Sequence, residues 1–435
     1  MNNAHFLHRS KFLFIAWCMV ASFGVYFCMY AFRKPFSTGL YSGLELWGIG
    51  YKTILIISQV LGYMLSKFAG IKVISELKPA SRIKLIVALI AVAEIALLFF
   101  GLVPYPYNFI FLFINGLPLG MVYGVVFSFL EGRRFTEMIA MGLSISVIVA
   151  SGILKTIYLE VQALVPVIPE FWMPFFMGLL FFPLFFLFVW MLTCIPPPSE
   201  QDLELRTQRV PMTGADKRNA LREFGFPVIC FVACYAMLAT VRDYRDNFSI
   251  EIWNEIQIEW TNSVLSATEM LSGIFVLVVI GSLSILKSNK LGFRLVNLII
   301  FVGLVLSGMA TVLFKLNMVG PFQWMLLIGM GMFLAYTAIQ TVVFERMIAL
   351  FQLKANAGFF MYICDSIGYL GSVSLLLYKE FYMTEISWTE VLIKFIFFQT
   401  IVGLLLLFSS QIFFQRRARN IRRLENALSA ITIPK

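Results

Sequence analysis

The chain has 435 residues, of which 60% are hydrophobic and only 13% are charged. A soluble domain has about 25% charged residues, so this composition excludes a water-soluble globular protein and predicts the bilayer as its main solvent. The formal net charge is +10. The basic residues lie in short loops and in the C-terminal tail, a distribution that indicates membrane orientation and not a nucleic-acid partner.

Apolar segments long enough to cross a bilayer follow one another along the whole chain, since a spanning helix needs about 20 mostly apolar residues. The first segment follows a short basic tail, but no small-residue cleavage site comes after it, so we interpret it as a retained span. The sequence predicts an all-α membrane protein with about twelve transmembrane helices. We expect them at residues 12–38, 48–69, 82–103, 107–130, 138–161, 171–194, 223–247, 262–286, 292–315, 321–345, 355–378 and 389–413.

Basic residues alternate between the predicted loops. The loops after even-numbered spans contain cations such as Lys67, Arg133 and Arg218, whereas the loops after odd-numbered spans are nearly free of them. Cytoplasmic loops carry an excess of Lys and Arg. The pattern therefore predicts a multi-pass protein of the plasma (inner) membrane with both termini in the cytoplasm.

The longest predicted connection, residues 195–222, opens with three prolines and is rich in charge. We interpret it as a cytoplasmic linker between an N-terminal half, residues 1–194, and a C-terminal half, residues 223–413. A basic cytoplasmic tail, residues 414–435, would follow the second half.

An internal repeat supports this division. Arg33, Phe36 and Ser37 correspond to Arg245, Phe248 and Ser249 at a constant separation of 212 residues. The separation between later matched pairs of residues is only slightly larger. Two six-span halves in parallel repeat are the pattern of the major facilitator fold.

Span one carries the first candidate site. Tyr26, Tyr30 and Arg33 fall at i, i+4 and i+7, so they share one helical face. A guanidinium presents a planar fork of donors that suits phosphate or carboxylate, and its charge does not titrate away. The alternative is that Arg33 and Lys34 reach the lipid headgroups, with the tyrosines as an interfacial belt.

Span seven offers two possible counterparts. Tyr235 and Arg242 repeat the spacing of seven, whereas Arg245 is the partner of Arg33 in the Phe-Ser register. Asp243 and Asp246 lie beside them. Either these four charges neutralise one another at a helix end, or one arginine faces a cavity and an aspartate holds it when substrate is absent.

Further charges in the spans are candidates for coupling or gating. Asp365 in span eleven and Lys155 in span five are the deepest lone charges, and burial would favour their neutral forms, so Asp365 could carry a proton. The alternative is a structural ion pair. Glu131 and Glu345 close matching spans beside basic residues, and we expect them to form gating salt bridges.

Motifs of soluble enzymes do not occur. The sequence has no P-loop, GxSxG or HExxH pattern, its two histidines lie in the N-terminal tail, and its six cysteines include no CxxC pair. We therefore expect no enzyme activity, no cofactor and no metal.

At the end of span one, Tyr30-x-x-Arg33-Lys34-x-Phe36-Ser37 resembles the signature of the organophosphate:inorganic phosphate antiporter branch of the major facilitator superfamily. The resemblance implies transport by alternating access through a cavity lined by spans 1, 4, 7 and 10. It also implies that one arginine of span one and one of span seven jointly bind a phosphoryl group.

Carried over residue by residue, the resemblance gives Arg33 together with Arg242 or Arg245. The chain departs from the family at Ser58 and Gln59, where a lysine often lies midway along span two.

The function expected from the sequence is secondary active transport of a small anion, phosphorylated or carboxylate. Inorganic phosphate or a proton would be the coupling species, and we expect a monomer in the lipid bilayer. Two alternatives remain open: a proton-coupled symporter of a neutral sugar or nucleoside, and a transporter-like membrane sensor.

Overall fold

The structure is a computed structural model. It describes residues 10–75, 77–130, 136–196, 214–257, 259–283, 286, 288–351, 353, 357–383 and 386–431.

Long apolar segments form helices because the hydrocarbon region offers no partner for backbone N–H and C=O groups, which must bond within the segment. Over the part of the chain that the structure describes there are fourteen α-helices. They are α1 Lys11–Ala31, α2 Tyr51–Ser75, α3 Arg82–Leu102, α4 Phe109–Leu130, α5 Thr136–Leu164, α6 Met173–Thr193, α7 Gly214–Asn247, α8 Ser249–Ile256, α9 Ser263–Leu283, α10 Asn289–Lys315, α11 Pro321–Ala338, α12 Phe344–Phe351, α13 Ala357–Tyr382 and α14 Trp388–Ile431.

Twelve spans result, as the sequence predicts. A single π-helical turn, Ile339–Val343, joins α11 to α12, so that the two form one span, whereas α8 is too short to cross. Because twelve crossings return the chain to its starting face, both ends lie on one face, which we call the terminal face. The loops after odd-numbered spans lie on the opposite, distal face.

Several predicted boundaries were wrong. The first span ends as an α-helix at Ala31, because Pro35 starts a short 3-10 helix, Pro35–Thr38. The helices of the second and seventh spans continue beyond their apolar parts, Tyr51–Gly70 and Arg218–Asn247, to Ser75 and back to Gly214, so charged residues assigned to loops are helical. The last helix continues through much of the predicted tail, to Ile431.

The helices pack into a bundle through close backbone contacts. Helices α2 and α4 approach so closely that a Cβ at Gly62 would lie 2.1 Å from the carbonyl oxygen of Phe113, and one at Gly116 would lie 2.3 Å from that of Gln59. Small residues permit such packing in membranes. In the first six spans α1 also packs on α5 and α6, and in the last six α7 packs on α13 and α14.

Two helix pairs join the first six spans to the last six: α5 packs on α9, and α2 packs on α13. A small antiparallel hairpin, Glu45–Leu46 with Ile49–Gly50, lies on the distal face before α2. The polar side chains described below lie where these helices meet.

Candidate functional site

Arg33 lies in the hydrogen-bonded turn that ends α1. Beyond Ala31 the chain turns, and its carbonyl groups bond to side chains of neighbouring helices. The amide nitrogen of Asn115 donates to the carbonyl of Phe32 at 3.0 Å, and that of Gln59 donates to the carbonyl of Arg33 at 2.8 Å. Gln59 also donates to the Asn115 side chain at 2.8 Å. Helices α2 and α4 thus fix the backbone of the arginine.

The guanidinium of Arg33 is buried against aromatic rings. Its central carbon lies 3.9 Å from the ring centroid of Tyr63 and 5.7 Å from that of Tyr30. Within the described residues Arg33 has no ion pair, and its Nε has no hydrogen-bond partner. A desolvated cation–π contact contributes about 2 kcal/mol, whereas burying a charge costs several kcal/mol. The rings alone therefore leave this charge undercompensated.

Arg242 lies in a comparable aromatic setting but has a carboxylate partner. Its Nη2 and Nε donate to Oδ1 of Asp243 at 2.8 and 3.1 Å. Its guanidinium carbon lies 4.6 Å from the ring centroid of Tyr336, and its Nη1 donates to that hydroxyl. Oδ2 of Asp243 accepts from Ser372 at 2.8 Å. This carboxylate is thus anchored to α13 as well as to the arginine.

Two tyrosines relate the arginines to each other across the bundle. Tyr30 of α1 and Tyr369 of α13 lie near both Arg33 and Arg242. The arginine of span one and that of span seven thus border a common set of rings.

Asp365 is not a lone charge, so that expectation was wrong. Its Oδ2 lies 3.1 Å from Nζ of Lys67, and its Oδ1 accepts from the Tyr235 hydroxyl at 2.6 Å. The Tyr235 hydroxyl lies 2.8 Å from that of Tyr336. Lys67 was missed because it was assigned to a loop. Its i+4 spacing from Tyr63, which puts both on one helical face, was the available signal.

These residues form what we call the central cluster. Helices α1, α2, α4, α7, α11 and α13 all contribute to it, and Tyr123 of α4 lies 5.4 Å from Tyr26 between ring centroids. Three cations face two carboxylates, an excess of one positive charge. The members are Arg33, Lys67, Arg242, Asp243, Asp365, Tyr26, Tyr30, Tyr63, Tyr123, Tyr235, Tyr336 and Tyr369.

Closer to the distal face, Asp246 binds two lysines from the first six spans. Its Oδ2 lies 2.5 Å from Nζ of Lys34, and its Oδ1 lies 2.9 Å from Nζ of Lys155 and 2.5 Å from Oγ of Ser151. Lys34 also donates to Asn247 at 2.9 Å. We call these five residues the distal clamp. The expectation that Lys155 is a lone charge was wrong.

Other polar contacts near the distal face join the same two groups of spans. Nζ of Lys52, in the first turn of α2, lies 2.5 Å from Oε1 of Glu251 in α8. Glu380 of α13 accepts from Oγ1 of Thr53 at 2.7 Å and from the backbone of Gly50 at 3.4 Å. The distal ends of the two groups are therefore held together by several buried or half-buried bonds.

Arg245 lies outside the central cluster. Its Nη1 is 2.5 Å from Oε1 of Glu269 in α9, and its Nη2 donates to the carbonyl of Met325 in α11 at 3.2 Å. These contacts stay within the last six spans. Of the two candidate counterparts of Arg33, the structure brings Arg242 to the central cluster and engages Arg245 in helix packing.

Of the two residues predicted to form gating salt bridges, the structure describes one. Glu131 lies outside the described residues, and Glu345 is exposed in the first turn of α12 at the terminal face. The neighbouring Arg346 donates to Asn289 at 2.8 Å and to the carbonyl of Leu286 at 3.1 Å, contacts within the last six spans.

Solved structures with the same fold are membrane transporters. A nucleoside transporter, NupG, gives a TM-score of 0.61 at 14% identity over 92% of this chain and 98% of its own. A bacterial homolog of the human lysosomal transporter Spinster, inward-facing and unoccupied, gives 0.60 at 14% over 93% and 98%. The peptide transporter POT in complex with alafosfalin gives 0.61 at 14% over 93% and 96%. The fold is therefore the major facilitator fold, two six-helix repeats in a multi-pass integral membrane protein.

No curated protein matches this sequence. A profile described as "Family of unknown function (DUF5690)" matches residues 35–417. The range includes most of the central cluster and of the distal clamp, but it begins just after Arg33 and Lys34. The chain belongs to this family.

Proposed function

We propose that the protein is a secondary active transporter that moves a small organic anion, phosphorylated or carboxylate, by alternating access. The observation that carries this proposal is the buried guanidinium of Arg33, which has rings but no carboxylate as partners within the described residues. A substrate anion would complete it, because Arg presents a bidentate fork to phosphate or carboxylate.

The charge balance of the central cluster supports an anionic substrate. Three cations and two carboxylates leave one positive charge in a poorly hydrated site, where electrostatic interactions are strong. In our proposal Arg33 binds the anionic group, and Arg242 joins it by exchanging part of its contact with Asp243. This assigns Arg242, and not Arg245, as the second arginine of the pair that the antiporter resemblance implies.

The tyrosines suit the organic part of such a substrate. Seven of them line the cluster, and each combines an apolar ring with a hydroxyl that can donate or accept. A bare inorganic ion would use few of these groups. A sugar-like or other hydroxylated body attached to the anionic group would use many.

The distal clamp supports alternating access with the distal side closed. Lys34 and Lys155 of the first six spans form ion pairs with Asp246 of the last six, and Lys52 forms one with Glu251. We propose that residues 1–194 and 223–413 rock as two bodies joined by the linker, and that these bonds break when the distal side opens. From the positive-inside bias we infer that the terminal face is cytoplasmic and the membrane is the plasma membrane.

Lys67 and Asp365 are the candidates for coupling. Their ion pair joins α2 to α13 inside the cluster, so an anion that attracts Lys67 would release Asp365. A carboxylate released from its ion pair in this way would be available for coupling. Proton symport through Asp365 and exchange for inorganic phosphate are thus the two coupling modes to separate by experiment.

A second candidate is a proton-coupled carrier of a neutral solute. Its support is the ring of tyrosines, which suits nucleosides or sugars, and the shared fold with a nucleoside transporter. In that case Asp365 would carry the proton and Arg33 would have a structural role.

The test is uptake into proteoliposomes, with counterflow of labelled inorganic phosphate, a sugar phosphate, a dicarboxylate and a nucleoside. We expect anion flux in the wild type and its loss in R33Q. The control K315Q also removes one positive charge, from a half-exposed pair with Glu390, and should transport normally. Flux of the nucleoside alone would support the second candidate. Binding without flux would indicate a sensor, and both results would overturn our proposal.

A further inference from the structure

A cavity lies at the terminal face, away from the central cluster. It measures about 680 Å³ and opens between the first turns of α7 and the last turn of the membrane segment of α14. Its lining residues are Asn219, Arg222, Glu223, Phe413, Arg416 and Arg417. Three guanidinium groups face one carboxylate, so the cavity carries an excess of two positive charges.

The single carboxylate of this cavity is already occupied. Glu223 binds Arg417, with 2.7 Å between Oε2 and Nη2, and the Arg417 guanidinium lies 4.8 Å from the ring centroid of Phe224. Arg222 and Arg416 have neither an ion pair nor a hydrogen bond within the described residues. Two guanidinium groups without a partner in the described part of the chain therefore flank one cavity, a setting that suits a phosphodiester or similar anion.

Each free arginine ends an apolar stripe that faces the lipid. On α7 the exposed side chains of Phe226 and Ile229 follow Arg222 at i+4 and i+7. On α14 the exposed side chain of Ile412 precedes Arg416 by four residues. The Phe226 ring lies 6.2 Å from that of Phe413 in the cavity wall, so the stripes are continuous with the cavity.

We propose that this cavity binds the headgroup of an anionic phospholipid, whose acyl chains lie along the stripes of α7 and α14. A soluble anion would use the arginines but not the stripes, which is why the geometry points to a lipid. The cavity lies where the membrane segments Arg218–Asn247 and Trp388–Arg417 reach the terminal face, the depth of the headgroups. Basic pockets between spans bind such headgroups elsewhere.

The test uses the purified full chain in mixed micelles with phosphatidylglycerol or phosphatidylcholine, and native mass spectrometry to measure lipid retention. We expect the wild type to retain phosphatidylglycerol preferentially. The double variant R222Q/R416Q should retain it about 30-fold more weakly, since each of the two cations near the surface contributes about 1 kcal/mol and 1.4 kcal/mol is tenfold.

The matched control is K290Q/R294Q, which removes two exposed cations from the start of α10 at the same face and should retain the lipid as the wild type does. The proposal is overturned if R222Q/R416Q and the control behave alike. It is also overturned if glycerophosphoglycerol, the headgroup without acyl chains, displaces the lipid at equal concentration, because the site would then be one for a soluble anion.

Discussion

Arg33 and Lys34 are adjacent cations with opposite surroundings. Lys34 lies in the distal clamp, where Nζ is 2.5 Å from Asp246, whereas Arg33 lies in the central cluster against the rings of Tyr63 and Tyr30. In the clamp each cation contacts a carboxylate, whereas in the cluster Arg33 contacts none among the described residues. The difference separates a region built to close the protein from a region built to receive an anion.

The two regions should therefore respond differently to the removal of a charge. Removing one member of a satisfied buried pair leaves its partner uncompensated, which is strongly destabilising. Removing an uncompensated cation relieves the protein of a buried charge. Mutations in the clamp should lower the free energy of unfolding, and mutation of Arg33 should mainly abolish function.

The largest effect on stability is expected for Asp246→Asn. This change leaves Lys34 and Lys155 buried without a carboxylate, and breaking a buried pair costs about 3–5 kcal/mol. The free energy of unfolding, measured by denaturant titration in detergent, should fall by at least this amount. R33Q, measured in parallel, should change it by less than about 1 kcal/mol. Equal losses of unfolding free energy in the two variants would contradict the proposed difference between the clamp and the cluster.

Lys67→Met should cost somewhat less, about 3 kcal/mol, because it leaves Asp365 with the Tyr235 hydroxyl as its one remaining partner among the described residues. Adding Asp365→Asn removes the stranded charge, so the double variant should recover most of that loss. A double-mutant cycle on the free energy of unfolding measures this coupling. Additive losses would mean that the two residues do not form the pair that joins α2 to α13.

Gln59→Leu should weaken anion binding without removing any charge. It removes the donor that the Arg33 carbonyl and Oδ1 of Asn115 share, and an unsatisfied buried group costs about 1–3 kcal/mol. Because this carbonyl fixes the backbone of the arginine, we expect roughly tenfold weaker binding of a sugar phosphate. Gln59→Glu restores an acceptor but not the donor, so it should not rescue the affinity. Unchanged binding in both variants would show that Gln59 does not position Arg33.

The smallest effect is expected at the edge of the distal contacts. Glu380→Gln keeps an oxygen that can accept from Thr53, and it loses the charge of a half-buried group and the long 3.4 Å bond from the Gly50 backbone. The free energy of unfolding should change by about 0.5 kcal/mol or less. A loss as large as that of Asp246→Asn would indicate that the main contact closing the distal side lies at Glu380 of α13 and not in the clamp.

Much of the fold could be predicted from the sequence, because apolar length decides a transmembrane helix. All twelve spans are found, and the errors lie at helix ends, where composition changes gradually. Charged residues at 214–222 continue α7 beyond its apolar part, and the aromatic segment after Ala31 hides a break at Pro35. Helical propensity beyond the bilayer is not visible in hydropathy.

The site could be predicted only in part. The i, i+4, i+7 pattern finds Tyr26, Tyr30 and Arg33 on one face, because these residues lie on one helix. Partners on different helices leave no such pattern: Lys67 and Asp365 are 298 residues apart, and Lys155 and Asp246 are 91 apart. Their pairing depends on how α2 meets α13 and how α5 meets α7. Single-sequence periodicity carries no such information.

The central claim is that Arg33 holds a substrate anion, and its most direct test is equilibrium binding to the purified chain. Titration calorimetry with a sugar phosphate, a dicarboxylate and inorganic phosphate should detect binding of at least one anion to the wild type and to K315Q. R33Q should bind that anion at least about 30-fold more weakly, since truncating one partner of a buried charge pair costs about 2–5 kcal/mol. R33K, which keeps the charge but not the forked guanidinium, should have an affinity between those of the wild type and R33Q. Equal affinity in R33Q and the wild type would contradict the account.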